Sequence, residues 1–246
     1  MWDIVRLSHR GLGVRDFSRA VARALRRVVP FDGFCVVTVD PATLLQTGEV
    51  VENGLPDWAM GRLTQIEVAE ADVNRFVDLA RATRPAASLS EATGGDLDRS
   101  VRQRELRRPA GFEDEMRAAS VDGGDIWGGL TLLREAGTAD FTPDDAQLIA
   151  SLSGPLAQGL RRALLVAAVK DGNNDNAEVG VLVLAEDDSI ELANAAAQEW
   201  LDELRQPEHA HLPIVIQAVA TRARRAAAGD GSRAAARARI RTASGR

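Results

Sequence analysis

The sequence predicts an α+β protein, an antiparallel sheet with helices on both faces, followed by a smaller α+β unit. Three observations carry that expectation. A glycine-centred hairpin runs directly into a leucine-striped helix between Phe112 and Leu165. The segments before it alternate as helix, strand, strand, helical crossover, strand and loop. The pattern then stops near Val169 and restarts at Gly180 with strand, turn, strand and helix.

In chain order, Val14 to Val29 reads as a helix. Val14, Phe17, Val21, Ala24, Leu25 and Val28 share one face and five arginines the other, and Pro30 ends it. Phe34–Val39 is a strand apolar on both faces, which predicts a central, covered position. Thr47–Glu52 forms a second strand, closed by Asn53-Gly54. Helical segments are expected near Trp58–Glu67 and Val73–Ala82, the latter with Asp72 as N-cap, and a third strand around Ala87–Ser90. The polar stretch Glu91 to Gly111, with one short helix over Val101–Arg107, reads as a lid or disordered loop.

Asp122-Gly123-Gly124-Asp125 is the hairpin turn, since both glycines can take positive φ. Folding there places Val121 opposite Ile126, Ala119 opposite Gly128 and Ala118 opposite Gly129, a centre almost bare of side chains that a helix or a ligand must approach closely. Thr142 as N-cap, Pro143 and two acidic residues start the next helix, with Leu148, Ile149, Leu152, Leu156, Leu160 and Leu164 on one face. Pro155 predicts a bend costing about 3 kcal/mol. Burying each of those aliphatics at roughly 1.5–3 kcal/mol outweighs it.

After 169–177, a linker by composition, Gly180–Ala185 and Ile190–Ala193 read as strands. Asn194 caps a helix with Ala197, Trp200, Leu201 and Leu204 inward. A further helix spans Leu212 to Ala228, and Ala236–Thr242 alternates with period two as a half-buried strand leading to a turn at Ser244-Gly245.

The order of elements, the run Trp127-Gly-Gly-Leu-Thr-Leu-Leu-Arg134 and the helix entry Phe141-Thr-Pro-Asp-Asp145 resemble a GAF domain over roughly residues 10–168. Leu89-Ser-Glu-Ala-Thr-Gly-Gly-Asp96 and Gly111-Phe-Glu-Asp-Glu-Met-Arg117 resemble, more narrowly, the GAF domains of actinobacterial LuxR-type transcriptional regulators. Residues 178–246 resemble the opening of a PAS domain whose sheet is left incomplete. The resemblance implies a GAF-type antiparallel sheet with the terminal helices on one face and the crossover helices on the other. It also implies a helix-turn-helix domain that this chain does not carry, so that DNA is a partner only through that absent domain.

Composition bounds the chemistry. One cysteine, Cys35, leaves no intrachain disulfide, and no apolar run approaches a membrane span, which fits a cytoplasmic protein without a membrane partner. The net charge of −6 argues against nucleic-acid binding by the whole chain. The arginine-rich stretch from Thr221 reads as a solvated face without interleaved aromatics. His209 and His211 have a chelating spacing, yet His9 is the one other histidine, so no metal site is expected. Cys35 on a doubly apolar strand is expected to be inert, and the resemblance implies no bilin attachment there. Asn74-Arg-Phe76 with Asp78 is read as helix packing, and Glu113-Asp114-Glu115 beside Arg117 as surface charge. No nucleophile elbow or phosphate-cradling loop is found, so no catalytic residue and no cofactor is expected.

What remains is a pocket between sheet and crossover, for which Phe34, Trp58, Phe76, Phe112, Met116 and Trp127 are the lining candidates, with plain core as the competing role. Strand parity puts Met116 and Trp127 on one hairpin face, which meets either the pocket or the two-helix layer. The expected function is a sensory module of a transcriptional regulator, binding a small-molecule effector and pairing as a homodimer through its terminal helices. The alternatives are the input domain of a histidine kinase or phosphatase, or a ligand-free dimerisation scaffold.

Overall fold

The computed structural model describes residues 2–170, 180–204 and 211–240. Helices α1 (Trp2–Ser8) and α2 (Val14–Leu25) lead into strands β1 (Gly33–Val39) and β2 (Gln46–Glu52). The crossover follows as α3 (Asp57–Ala69), α4 (Phe76–Leu79), β3 (Ala86–Ser88) and α5 (Leu89–Thr93), and then a short 3-10 turn and a π-helical turn at Gln103–Arg107. The hairpin β4 (Phe112–Asp122) and β5 (Asp125–Glu135) precedes α6 (Pro143–Ala150) and α7 (Ser153–Lys170). Beyond them lie β6 (Leu182–Leu184), β7 (Ile190–Ala193), α8 (Ala195–Leu204) and α9 (Ile214–Ala227). The first five strands form one antiparallel sheet in the order β2-β1-β5-β4-β3, so the fold is α+β as expected. Among the described residues no helix is long and apolar enough to cross a membrane.

One face of this sheet carries α2, α6 and α7. Phe34, Val36, Met116, Ala118, Leu130 and Leu132 meet Phe17, Val21, Leu25, Ile149, Leu156 and Leu160 there in a single apolar core. The opposite face is covered by α3, the segment 72–110 and α9, where Leu55, Met60, Ile66, Leu106, Phe112, Leu133 and Ile214 pack together. Ile214 thus brings the helix expected in the second unit into the core of the first.

The turn at Gly123 and Gly124 takes φ of 62° and 91°. Val121 pairs with Ile126 as expected, but Ala119 pairs with Gly129 and Ser120 with Gly128. A β-bulge between Ser120 and Val121 leaves Trp127 as the extra residue and moves the rest of the register by one. The bare centre is approached from both sides. A Cβ on Gly128 would lie 2.7 Å from the Leu160 side chain of α7, and one on Gly129 would lie 2.3 Å from the Phe76 ring.

The single bent helix expected over Pro143–Leu165 is two helices. Ser151 and Leu152 separate them, and Pro155 falls in the first turn of α7, where a missing N–H is harmless. Ser153 fixes the break to the sheet: its Oγ donates to the Ala119 carbonyl at 2.6 Å and accepts from the Val121 amide at 3.1 Å. Thr142 caps α6 in a reciprocal pair with Asp145. The first long helix stops at Leu25, and Val28, expected inward, is exposed.

The expected helix over Val73–Ala82 is confined to Phe76–Leu79. Asp72 does not cap it in the expected way. Its carboxylate accepts from the amides of Val101 and Arg102 and from Ser100 Oγ, all at 3.1 Å, and so caps a turn 30 residues further on. The stretch 91–111 is correspondingly neither lid nor disordered loop, because Arg102, Gln103, Leu106 and Arg107 are buried beneath the sheet.

In the second unit β6 pairs with β7, and Asn194 Oδ1 accepts from the amides of Val181 and Ala197, joining the hairpin to α8. The expected strand at Ala236–Thr242 forms no ladder over 236–240, but its alternation survives. Ala238 and Ile240 turn toward α8 and α9, while the Arg239 amide donates to Asp40 Oδ2 at 2.9 Å. The linker residues 171–177, Thr242 and the turn at Ser244-Gly245 lie outside the described residues.

Candidate functional site

The crossover face of the sheet is charged where the helix face is apolar. Strand alternation points Glu115 and Arg117 of β4, Glu49 of β2 and Cys35 of β1 to this side. Arg102 is fully buried above them. It donates to Asp72 Oδ2 at 2.8 Å, to Glu115 Oε2 at 2.7 Å and to the Val73 carbonyl at 3.1 Å. Arg107 donates to the other Glu115 oxygen at 3.0 Å, and Arg117 pairs with Glu67 at 2.9 and 3.0 Å. Three guanidiniums thus face the three carboxylates of Glu67, Asp72 and Glu115, a set with no net charge. Burial alone would raise the Glu115 carboxyl, but Arg102, Arg107 and Arg117 together hold it well below the usual carboxylate range. Asp114 and Glu115, read from sequence as surface charge, are both buried; Asp114 accepts from the amides of Ser90, Glu115 and Phe141.

Phe76 stands on this network. The Arg117 guanidinium lies 3.8 Å from the ring centroid, and the ring edge fills the space above Gly129. Beside it a cavity of about 400 Å³ opens between the ends of β1, β2 and β5, the end of α3 and the last turns of α9. Its apolar wall includes Phe76, Val77, Leu45 and Ile126, and its polar wall includes Thr43, Glu67, Arg75 and Arg222. Two of the polar side chains hold buried atoms without a hydrogen-bond partner among the described residues, Thr43 Oγ1 and Arg222 Nε. A larger hollow of about 800 Å³ lies between β6, α8 and α9. Its charged residue, Arg224, is already committed to Asp188 and the Ala185 carbonyl, each at 2.6 Å.

Of the six residues expected to line a pocket, Phe76 lines the smaller cavity. Phe112 packs in the crossover-side core, turned there by a bulge between Phe112 and Asp114. Phe34, Met116 and Trp127 belong to the helix layer, Trp127 because the bulge re-aims it toward α7, where Arg161 lies 5.4 Å above its ring. Trp58 is 61% exposed. Sequence reasoning missed Thr43 and Arg222. Arg222 had a signal, since it continues the Val215, Ala218 stripe of α9, where a charge is out of place.

Glu49 and His211 meet at the seam between the first sheet and α9, with Oε1 and Nε2 3.8 Å apart. Burial raises the Glu49 carboxyl to about 7, with His211 opposing and Asp57 adding to the rise. Burial likewise pushes the Cys35 thiol up, which disfavours the thiolate. His209 lies outside the described residues, and among those described no three potential ligands gather around a metal position.

No family model matches the chain, and no curated protein matches it in sequence. Among solved structures it is similar to the GAF domain of cyanobacteriochrome TePixJ, at 16% identity and a TM-score of 0.46, over 64% of this chain and 94% of that one. It is also similar to a GAF domain/HD domain protein from Geobacter sulfurreducens, at 16% identity and 0.44, over 66% and 98%. A third is the GAF domain of a two-component sensor histidine kinase from Bacillus halodurans, at 12% identity and 0.44, over 63% and 97%.

Proposed function

We propose that the chain is a sensory module of a signal-transduction protein, in which a small molecule held in the cavity beside Phe76 biases the position of α9. One observation carries the reading: the cavity wall is shared between the crossover face of the sheet and the α9 region, through Arg222, Arg225 and Asp230. An occupant touching both walls binds better when α9 sits against β2 and α3, and its binding energy shifts the population toward that arrangement. In this reading the chain binds and relays but performs no chemistry of its own.

The GAF and LuxR-type resemblances in the hairpin and in the 89–96 and 111–117 runs favour a transcriptional regulator as the whole protein, acting in the cytoplasm as a homodimer through α1, α2 and α7. A histidine kinase or phosphatase would use the same device with another output. Hydrogen–deuterium exchange tests the common core. A compound that raises the melting temperature in a small-molecule screen should slow the amides of α9 and of residues 75–79 together. Protection confined to the sheet, or no stabilising compound, would count against the reading.

A further inference from the structure

The charged groups around the 400 Å³ cavity do not balance, and the imbalance has a location. Arg75 is paired with Asp78 at 2.7 Å. Arg225 is paired with Asp230 and also donates to the Ala69 carbonyl. Glu67 is taken by Arg117. That leaves Arg222 as the lining charge without an opposite partner among the described residues. Its Nε–H is buried with no acceptor among the described residues, and the Thr43 hydroxyl, which lines the same cavity, is buried in the same condition. A buried donor left unmade is costly, and a guanidinium more so than a neutral group.

We propose that the cavity binds a small monocarboxylate with an apolar body, held at its anionic end by Arg222 and Thr43 and along its body by Phe76, Val77 and Ile126. The proposal rests on the sensory reading above and adds to it the chemistry of the ligand. One uncompensated positive charge matches one negative charge. A phosphate dianion would bring a second charge toward the carboxylates of Glu67 and Asp230, which share the same wall. A carboxylate offers the planar pair of acceptors that a guanidinium fork matches. The apolar wall selects the body: an aromatic or branched aliphatic group of a size that 400 Å³ admits. Because Arg222 belongs to α9, the anionic end is also the part of the ligand that pulls on the relay helix.

The test is calorimetric titration of the full chain with phenylacetate and 4-methylpentanoate, with the amide of each, and with phenyl phosphate. The acids should bind and the amides should bind at least about tenfold more weakly. Arg222→Gln should lower acid affinity by roughly ten- to a hundredfold and leave amide binding unchanged, while Thr43→Val costs several-fold. Without ligand, Arg222→Gln should melt at or above the wild-type temperature, since Arg222 has no partner among the described residues to lose and its buried donor is removed. Equal binding of acid and amide, full affinity in Arg222→Gln, tighter binding of phenyl phosphate than of phenylacetate, or no binding of any probe would overturn the proposal. The two readings fail separately. A neutral compound that slows exchange in α9 keeps the sensory reading and removes the carboxylate. An Arg222-dependent acid that leaves α9 exchange unchanged keeps the site and removes the relay.

Discussion

The two faces of the same five-stranded sheet solve burial in opposite ways. Toward α2, α6 and α7 the middle of the sheet is aliphatic and aromatic, with charge only at its rim, where Arg134 donates to the carbonyls of Pro30, Ala139 and Asp140. Toward the crossover the sheet offers Glu115, Arg117 and Glu49, answered from above by Arg102, Arg107, Glu67 and Asp72. An apolar face is stabilised by area removed from water and accommodates small shifts. A buried ionic set gains little over an apolar replacement of the same volume, but it penalises every arrangement in which one member loses its partner. The charged face therefore holds one geometry beneath Phe76, and the cavity beside that ring inherits a rigid floor.

The largest way to break this contrast is to remove the centre of the network. Arg102→Leu leaves Asp72 and Glu115 buried without their main partner, and unfolding in urea should show a loss of about 3–5 kcal/mol. The same network sets an acid limit. Glu115 is held below its unfolded value, so its stabilisation is present above the ordinary carboxylate range and is lost as pH falls through the native pKa. A variant that loses less than about 1 kcal/mol would mean that the charges are solvated rather than packed.

Sequence periodicity reads the apolar face well and the charged face poorly, for one physical reason. Helix stripes and strand alternation are found by assuming that charges lie outward. Phe17, Val21 and Leu25, or Leu152, Leu156 and Leu160, obey that assumption and were placed correctly. Arg102, Arg107, Glu115 and Arg117 violate it together, and no single one reveals the others, because their partners are supplied from distant segments. Asp72 shows the same limit: it sits where a local N-cap belongs, yet apart from the adjacent Val73 amide the backbone and hydroxyl groups that donate to it lie at Ser100–Arg102. Two bulges add to the difficulty, since each reverses strand parity without a sequence mark as plain as the Asp122–Asp125 turn. Phe76 was legible as an apolar residue beside the crossover. That it would cover Gly129 was not, because the two glycines predicted only a close neighbour and not which one.

A second, smaller effect separates two regions of the charged face. Glu49 has its carboxyl raised to about 7, chiefly by burial, whereas Glu115 is held low. For a raised carboxyl the native state keeps a proton that the unfolded chain releases. Stability therefore falls as pH rises from about 4.5 through 7, the reverse of the Glu115 window. The loss should be on the order of 2–3 kcal/mol between pH 5 and 8, and Glu49→Gln should flatten it. Because His211 adjoins Glu49 at the seam with α9, hydrogen exchange should show the amides near Ile214 responding over the same pH range. A flat wild-type profile would place Glu49 in water.

The finest comparison uses the two neighbouring glycines of β5, each of which faces one side of the sheet. On the helix side, a methyl at Gly128 would lie 2.3 Å from the Val37 carbonyl oxygen and 2.7 Å from Leu160. Strand backbone cannot step aside, so Gly128→Ala should cost about 3 kcal/mol. On the crossover side, the three atoms nearest a methyl at Gly129 all belong to the Phe76 ring, at 2.3–2.6 Å. That ring borders the cavity and can swing into it, so Gly129→Ala should cost nearer 1 kcal/mol. The displaced ring then occupies ligand space. Gly129→Ala should weaken phenylacetate binding several-fold while Gly128→Ala leaves the affinity of its folded fraction unchanged. Thermal denaturation and titration of both variants separate these outcomes. Equal costs with equal affinities would mean that the ring is as fixed as the strand, and the cavity would then have no yielding wall.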